Sequence, residues 1–385
     1  MKVFFFIIWA DPKFYNSLVF LSKHLSDENN KIYLFCKKPS KEEDIIGSLD
    51  FGSNCKVIYH EKKNYLSIKI ELILFILKCL FYSVKLKPDN IIFFNFHAAS
   101  FINFFRIFRK KNSKHIYHNF DFDIPNKNSS LKKKLKHHIE ILVSKKFDYL
   151  VFPSKQRAEI FSKLSKINSK KFYIMQNCFS KKYKMEYSNK LEIFFNKLKN
   201  NKMKIVSRMG SIAPNHYLEE IIKSFSFVDE NYVLILAGID INNYSKKLYE
   251  IIKQLNLEKR IFIFKNIDNF TWYEILKNAH LGLCLYEENS VSHNNMAGTS
   301  TKFNNYIYGN IPMVTNDNFD FNNLKKKIDI FETTNPKNPK NIASKINLLL
   351  TDEERYKEIK KNLNRSFYEE FNFEKQYDNS YQKIL

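Results

Sequence analysis

The chain has 385 residues, 44% of them apolar and 27% charged. That balance belongs to a folded globular protein of about two domains and excludes a disordered chain, while a total of 7 glycines excludes collagen-like and glycine-rich classes. The formal net charge of +23 points to polyanionic partners, although 56 of the 63 cations are lysine, part of which reads as the bias of an AT-rich genome.

Met1-Lys2 and the apolar run to Ala10 read as a first β-strand over 3–9. No small-x-small cleavage site follows, and Asp11-Pro12 opens a helical pattern, so a signal peptide is not expected. Short β-rich runs then alternate with longer helical patterns. Strands are expected at 31–35, 56–59, 90–94, 115–118, 149–152 and 172–175, with helices at 14–25, 66–84, 99–108, 131–145 and 155–164. The most apolar stretch, 66–84, is broken by Lys69, Glu71 and Lys78 and is too interrupted to span a bilayer. After Asn177 the alternation stops for about 25 polar residues and resumes at Lys204. Strands are expected there at 205–209, 232–237, 261–264, 281–286 and 312–315, with helices at 216–228, 245–255, 272–278, 302–308, 342–350 and 352–368.

This alternation predicts an α/β protein of two Rossmann-like, doubly wound domains facing across a cleft. The expected division is 1–190, 200–365, and a C-terminal helix over 366–385 packing back on the first domain. Charge divides unevenly between the halves. Residues 1–200 hold 38 Lys+Arg against 17 Asp+Glu, and residues 201–385 hold 25 against 23. The densest run, from Arg106 to Lys146, lies beside Phe101, Phe104, Phe105 and Phe108. A basic, aromatic-rich half suits an anionic membrane surface better than nucleic acid, for which an arginine-rich docking motif would be expected. The cysteines (Cys36, Cys55, Cys79, Cys178 and Cys284) are odd in number and form no C-x-x-C pair. Neither a disulfide framework nor a structural zinc site is expected, and the compartment reads as reducing.

Chemistry concentrates in the second half. Gly210 and Gly238 each end a predicted strand, where a missing side chain lets a ligand or another backbone approach; simple tight turns would use glycine equally well. Gly298-Thr299-Ser300-Thr301 opens a helix, and Lys302 follows. Small residues at a helix start offer free N–H groups to a phosphate, although an ordinary Ser/Thr cap has the same composition.

The order of these motifs resembles the retaining, nucleotide-sugar-dependent glycosyltransferases of the GT-B fold, the large family of bacterial polysaccharide assembly. Where that family reads Gly-Arg-x-x-Pro-x-Lys-Gly-Leu, this chain reads Gly210-Ser211-Ile212-Ala213-Pro214-Asn215-His216-Tyr217-Leu218. Leu236-Ala237-Gly238 matches the next strand end. Thr301-Lys302-Phe303-Asn304-Asn305-Tyr306, followed by Asn310-Ile311-Pro312-Met313-Val314, matches the family's Lys-Leu-Phe-Glu-Tyr and Gly-x-Pro-Val segments. The likeness covers roughly 203–317 well and the first half only in layout. Ser211 and His216 replace the family's diphosphate-clamping Arg and Lys, Asn305 replaces its ribose-binding acid, and Asn310 stands where glycine is usual.

The resemblance implies transfer of a sugar from a nucleotide diphosphate donor to a glycan or lipid-linked acceptor in cell-surface glycan synthesis, without a metal or other cofactor. It places the enzyme in the cytoplasm, peripheral at the inner face of the membrane. Lys302, His216 and possible compensation from Arg208 would meet the diphosphate charge, with Gly210, Ser211, Gly238 and the N–H groups of Thr299, Ser300 and Thr301 around the donor. Asn305 would hold the ribose. On the acceptor side, by position, fall Asp11, Phe14 and His97, with His118 and Asp121 as the catalytic pair of the first domain. Asp121-Phe122-Asp123 spells the Asp-x-Asp pattern that would reopen a metal-dependent reading. The alternatives are an inverting enzyme with a His or Asp general base, and a non-enzymatic protein that binds polyanions or membrane surfaces.

Overall fold

The computed structural model describes residues 1–12, 15–38, 50–61, 66–125, 127 and 129–385. The chain forms two compact units. One holds Met1–Ser180, Ser290–Ser292 and Phe373–Leu385, and the other holds Lys181–Asn289 and His293–Asn372. Residues 181–190 therefore lie in the second unit, ahead of the boundary expected from composition.

The first unit is a seven-stranded sheet of β1 (Val3–Ile8), β2 (Lys31–Lys37), β3 (Cys55–His60), β4 (Asn90–Phe94), β5 (Lys114–His118), β6 (Tyr149–Phe152) and β7 (Phe172–Ile174). Their order is β3-β2-β1-β4-β5-β6-β7, and every pairing is parallel. β1 reads VFFFII with its last five residues buried, the near-continuous apolar run of a strand covered on both faces. One of those faces carries a core of Phe5, Phe35, Phe75, Phe93, Phe105 and Phe161, supplied by the sheet and by the helices Ile68–Leu86, Ile102–Ile107 and Lys155–Ser165. The helix expected over 99–108 is two pieces, Asn95–Ala99 and Ile102–Ile107.

The second unit is a six-stranded sheet of β8 (Lys204–Met209), β9 (Tyr232–Gly238), β10 (Ile261–Lys265), β11 (Leu281–Cys284), β12 (Met313–Asn316) and β13 (Phe331–Thr334). The order is β10-β9-β8-β11-β12-β13, again all parallel. β13 is absent from the sequence expectation because three of its four residues are polar. Glu332 is tolerated in it by Arg355 at 2.7 Å and Lys325 at 2.6 Å. The polar stretch after Asn177 contains the helix Glu192–Asn200, which buries only Phe195 and Leu198 and so leaves a weak periodic signal.

In each unit the chain starts mid-sheet, runs outward to one edge, returns, and runs to the other. The reversal falls between β1 and β4 in the first unit and between β8 and β11 in the second. In doubly wound sheets ligands bind at the carboxyl ends of strands beside that reversal.

Candidate active site

Two glycines shape the carboxyl edge of the second sheet. Gly210 follows β8 with φ +126°, and Gly238 ends β9 with φ +149°, a backbone region costly for any side chain. A Cβ on Gly238 would stand 1.9 Å from the Gly210 carbonyl oxygen, so Gly238 serves the junction of the two strand ends. A Cβ on Gly210 would stand 3.5 Å from Lys302 Nζ and 3.7 Å from Arg208 Nη1. Gly210 thus leaves open a point within reach of two cations.

The cations arrive on separate elements. Arg208, next to last in β8, is 1% exposed. Its Nη1 donates to the Ser211 carbonyl at 2.6 Å, while Nε and Nη2 have no hydrogen-bond partner. Lys302, in the first turn of the helix Thr301–Tyr308, is 8% exposed, with Nζ unpartnered and 4.4 Å from the centre of the Tyr286 ring. Tyr286 lies two residues past β11, the neighbour of β8, and its hydroxyl is 2.5 Å from Ser300 Oγ.

Burial brings the Arg208 guanidinium down to about 10 and holds the Lys302 ammonium well below the ordinary lysine range, with Arg208 the second cause. Neither has a carboxylate partner among the described residues. Two buried cations without a counter-charge are unfavourable alone. An anion beside them would supply the missing counter-charge.

His216 is half-buried, with Nδ1 unpartnered and its ring 6.2 Å from Tyr286 and 5.9 Å from His293. Burial, then Lys302 and Arg208, drives its pKa far below the usual histidine range. At neutral pH it offers a hydrogen bond and no charge, so it does not replace the family's lysine. Ser211 is exposed and serves Arg208 through its carbonyl. Asn310 has φ +53°, and asparagine is among the side chains that best accept the conformation its glycine counterpart would adopt.

Three expectations need correction. The amides of Thr299 and Ser300 both donate to the Met296 carbonyl, at 3.1 and 3.2 Å, because the chain closes a tight turn there before the helix begins. They are spent within that turn. Asn305 is 4% exposed. In the orientation that satisfies both amide atoms, it donates to Thr301 O at 2.8 Å and accepts from Trp272 Nε1 at 3.0 Å, so its carboxamide is engaged inside the protein rather than held out to a ribose. Gly238 packs on Gly210 rather than on a ligand. Tyr286 was missed: the expected strand 281–286 contains it, but only the packing of the helix Thr301–Tyr308 on β11 shows that its ring meets Lys302.

In the first unit, His118 ends β5 fully buried among Phe94, Phe120 and Tyr381, with Nδ1 2.9 Å from the Tyr381 hydroxyl. Burial lowers it to about 3. It is a neutral core residue with no surface to offer a substrate, which corrects the catalytic role expected of it. Asp11, three residues past β1, is half-buried, and His97, three past β4, is exposed, so both stand at the strand reversal of that sheet. Asp121 is exposed. Phe14 lies outside the described residues.

Beneath them, Glu140 is 4% exposed and accepts from the Tyr117 hydroxyl at 2.5 Å and from Asn119 Nδ2 at 2.9 Å. Burial raises it to about 7. A carboxyl raised in the folded state contributes stability in full below its unfolded value near 4.5, and loses it as pH rises through about 7. Glu140→Gln is therefore expected to gain on the wild type by roughly 2–3 kcal/mol between pH 5 and pH 8. Urea melts of both proteins at the two pH values check this.

Residues 189–365 match the family model of the group 1 glycosyl transferases. No curated protein matches the chain. Among solved structures, Anabaena HepE in complex with UDP and glucose aligns over 100% of this chain and 99% of its own, with a TM-score of 0.77 at 12% identity. Sucrose-phosphate synthase from Thermosynechococcus elongatus aligns over 100% and 98%, with a TM-score of 0.74 at 14% identity. The lipopolysaccharide outer core galactosyltransferase WaaB aligns over the full length of both chains, with a TM-score of 0.63 at 14% identity. Such likenesses establish the fold, and the family match falls on the unit that holds Arg208 and Lys302. The chain has the GT-B fold, and its residues 189–365 form a group 1 glycosyl transferase domain.

Proposed function

We propose that the chain transfers a sugar from a nucleoside diphosphate donor to a glycan or lipid-linked acceptor, with retention at the anomeric carbon. The setting of this reading is bacterial cell-surface glycan synthesis (lipopolysaccharide, capsule or O-antigen), on the cytoplasmic side of the membrane and at its surface. The observation that carries the donor assignment is the pair of buried, unpaired cations Arg208 and Lys302 beside Gly210. The UDP and UDP-glucose held by the HepE structures support it.

In this reading the bond from the anomeric carbon to the β-phosphate oxygen breaks while the acceptor oxygen forms the new bond on the same face of the sugar. The acceptor hydroxyl proton passes to the departing phosphate, so no protein carboxylate need act as nucleophile. Negative charge grows on the diphosphate, and Arg208 and Lys302 are already aimed at it in a site of low dielectric, where such stabilisation is largest. His216 adds a neutral hydrogen bond. The side-chain cations take the charge-neutralising role without a metal.

The test is thermal unfolding with UDP, GDP and ADP against the corresponding monophosphates. A diphosphate at 100 times its Kd adds about 2.7 kcal/mol of stability, and the monophosphate is expected to add far less. No stabilisation by any diphosphate rejects the donor assignment. An inverting reaction is the second reading, favoured by the exposed Asp121 and His97 as candidate bases; the anomeric configuration of the product, by NMR, decides.

A further inference from the structure

The helix Ile68–Leu86 carries apolar residues on the side that does not face the core. Phe75, Ile76 and Cys79 are buried against the first sheet. On the opposite side Ile70, Ile73, Leu74, Leu77, Phe81 and Val84 are all exposed, Leu77 by 55% and Phe81 by 64%. At 3.6 residues per turn these six fall within an arc of about 100°. A surface helix of a globular protein places polar residues there; this one has a second apolar stripe, with the exposed Lys69 near one border and Lys85 near the other.

The stripe is not isolated. The helix Ile102–Ile107 packs beside it and covers the same face of the sheet, leaving Phe104, Ile107 and Phe108 exposed around Arg106. Between residues 66 and 146 the chain has 16 Lys+Arg against 5 Asp+Glu. Of those acids, Glu71 is held by His60, Asp89 by Lys110 and Asp123 by Lys133, while Glu140 is buried. Apolar side chains rimmed by unbalanced cations match a lipid surface bearing negative headgroups. A second copy of the chain would set like charge against like.

We propose that this face docks on an anionic bilayer, with the helix Ile68–Leu86 lying in the plane of the interface. The stripe from Ile70 to Val84 enters the headgroup–acyl boundary, and Lys69 and Lys85 reach lipid phosphates. No helix among the described residues is long and apolar enough to cross a membrane. The inference rests on the membrane part of the reading above and is independent of the donor chemistry.

The test is co-sedimentation of the full chain with phosphatidylcholine vesicles and with vesicles that also contain phosphatidylglycerol. The wild type is expected to bind the mixed vesicles and not the neutral ones. Leu77→Glu with Phe81→Glu should weaken that binding at least tenfold, with the nucleotide-induced thermal shift unchanged as proof of folding. Lys69→Gln with Lys85→Gln should lower it about fivefold per lysine. Phe81→Trp gives a direct readout: its emission should shift to the blue on the mixed vesicles. Wild-type protein that binds neither vesicle overturns the membrane reading and this inference together. Mixed-vesicle binding that both double variants retain in full, with no Phe81→Trp shift, overturns only the assignment of this face. A dimer that Leu77→Glu with Phe81→Glu dissociates, without vesicle binding by the wild type, replaces lipid with a second copy as the occupant.

Discussion

Lys302→Met is expected to lower sugar transfer by about two to three orders of magnitude while leaving the nucleotide-free protein as stable as the wild type, or more so. Methionine has nearly the length of the lysine stem and fills an 8% exposed slot against Tyr286 without strain. It also removes an ammonium that is buried with no hydrogen-bond partner, a group that costs stability until an anion arrives. The sign of the pH dependence follows from the depressed Lys302 pKa. The unfolded chain binds the lysine proton up to the ordinary range, so stability from this group increases with pH towards that range. The stabilising advantage of the variant should therefore be largest at low pH and shrink as pH rises. A bound diphosphate favours the charged form of Lys302, so any proton linkage on binding UDP should run towards uptake, as calorimetry in buffers of different ionisation enthalpy would read. Turnover close to the wild type would remove Lys302 from the site.

The fold was legible because each feature of a doubly wound sheet leaves a local mark. β1 and β9 read as unbroken apolar runs, and helical periodicity returns between strands. β13 left no such mark because three of its four residues are polar, and its one charge, Glu332, is neutralised by the distant Arg355 and Lys325. The candidate site was legible where one residue type carries the chemistry: Gly210 by its strand end, Lys302 by its helix start, and Arg208 by its rarity among lysines. It was illegible where a distant partner decides. Trp272 reaches Asn305 from the helix Asn269–Asn278, and Tyr381 covers His118 from the last helix of the chain. The Met296 carbonyl claims the amides of Thr299 and Ser300. None of these pairings has a sequence signature, because each depends on how separate elements pack.

Gly238→Ala is expected to cost on the order of 3–5 kcal/mol and to lower the thermal midpoint by several degrees or prevent folding. The new Cβ would lie 1.9 Å from the Gly210 carbonyl oxygen and 2.6 Å from its carbonyl carbon. Both are backbone, so no rotamer relieves the contact. The parallel pair β8 and β9 would have to part just where Gly210 N donates to Ala237 O at 2.9 Å, and the positive φ adds strain for any side chain. Gly210→Ala makes the instructive contrast. Its nearest neighbour is Lys302 Cε at 3.3 Å, the far end of a flexible chain, so the strain of φ +126° dominates and should cost about 1–3 kcal/mol. That variant should fold, yet its methyl group occupies the point that Lys302 and Arg208 share, so nucleoside diphosphates should lose their stabilising effect. Thermal unfolding of both variants, with and without UDP, separates the strand junction from the anion site. A Gly210→Ala protein that UDP stabilises as it does the wild type would show that the diphosphate does not sit over Gly210.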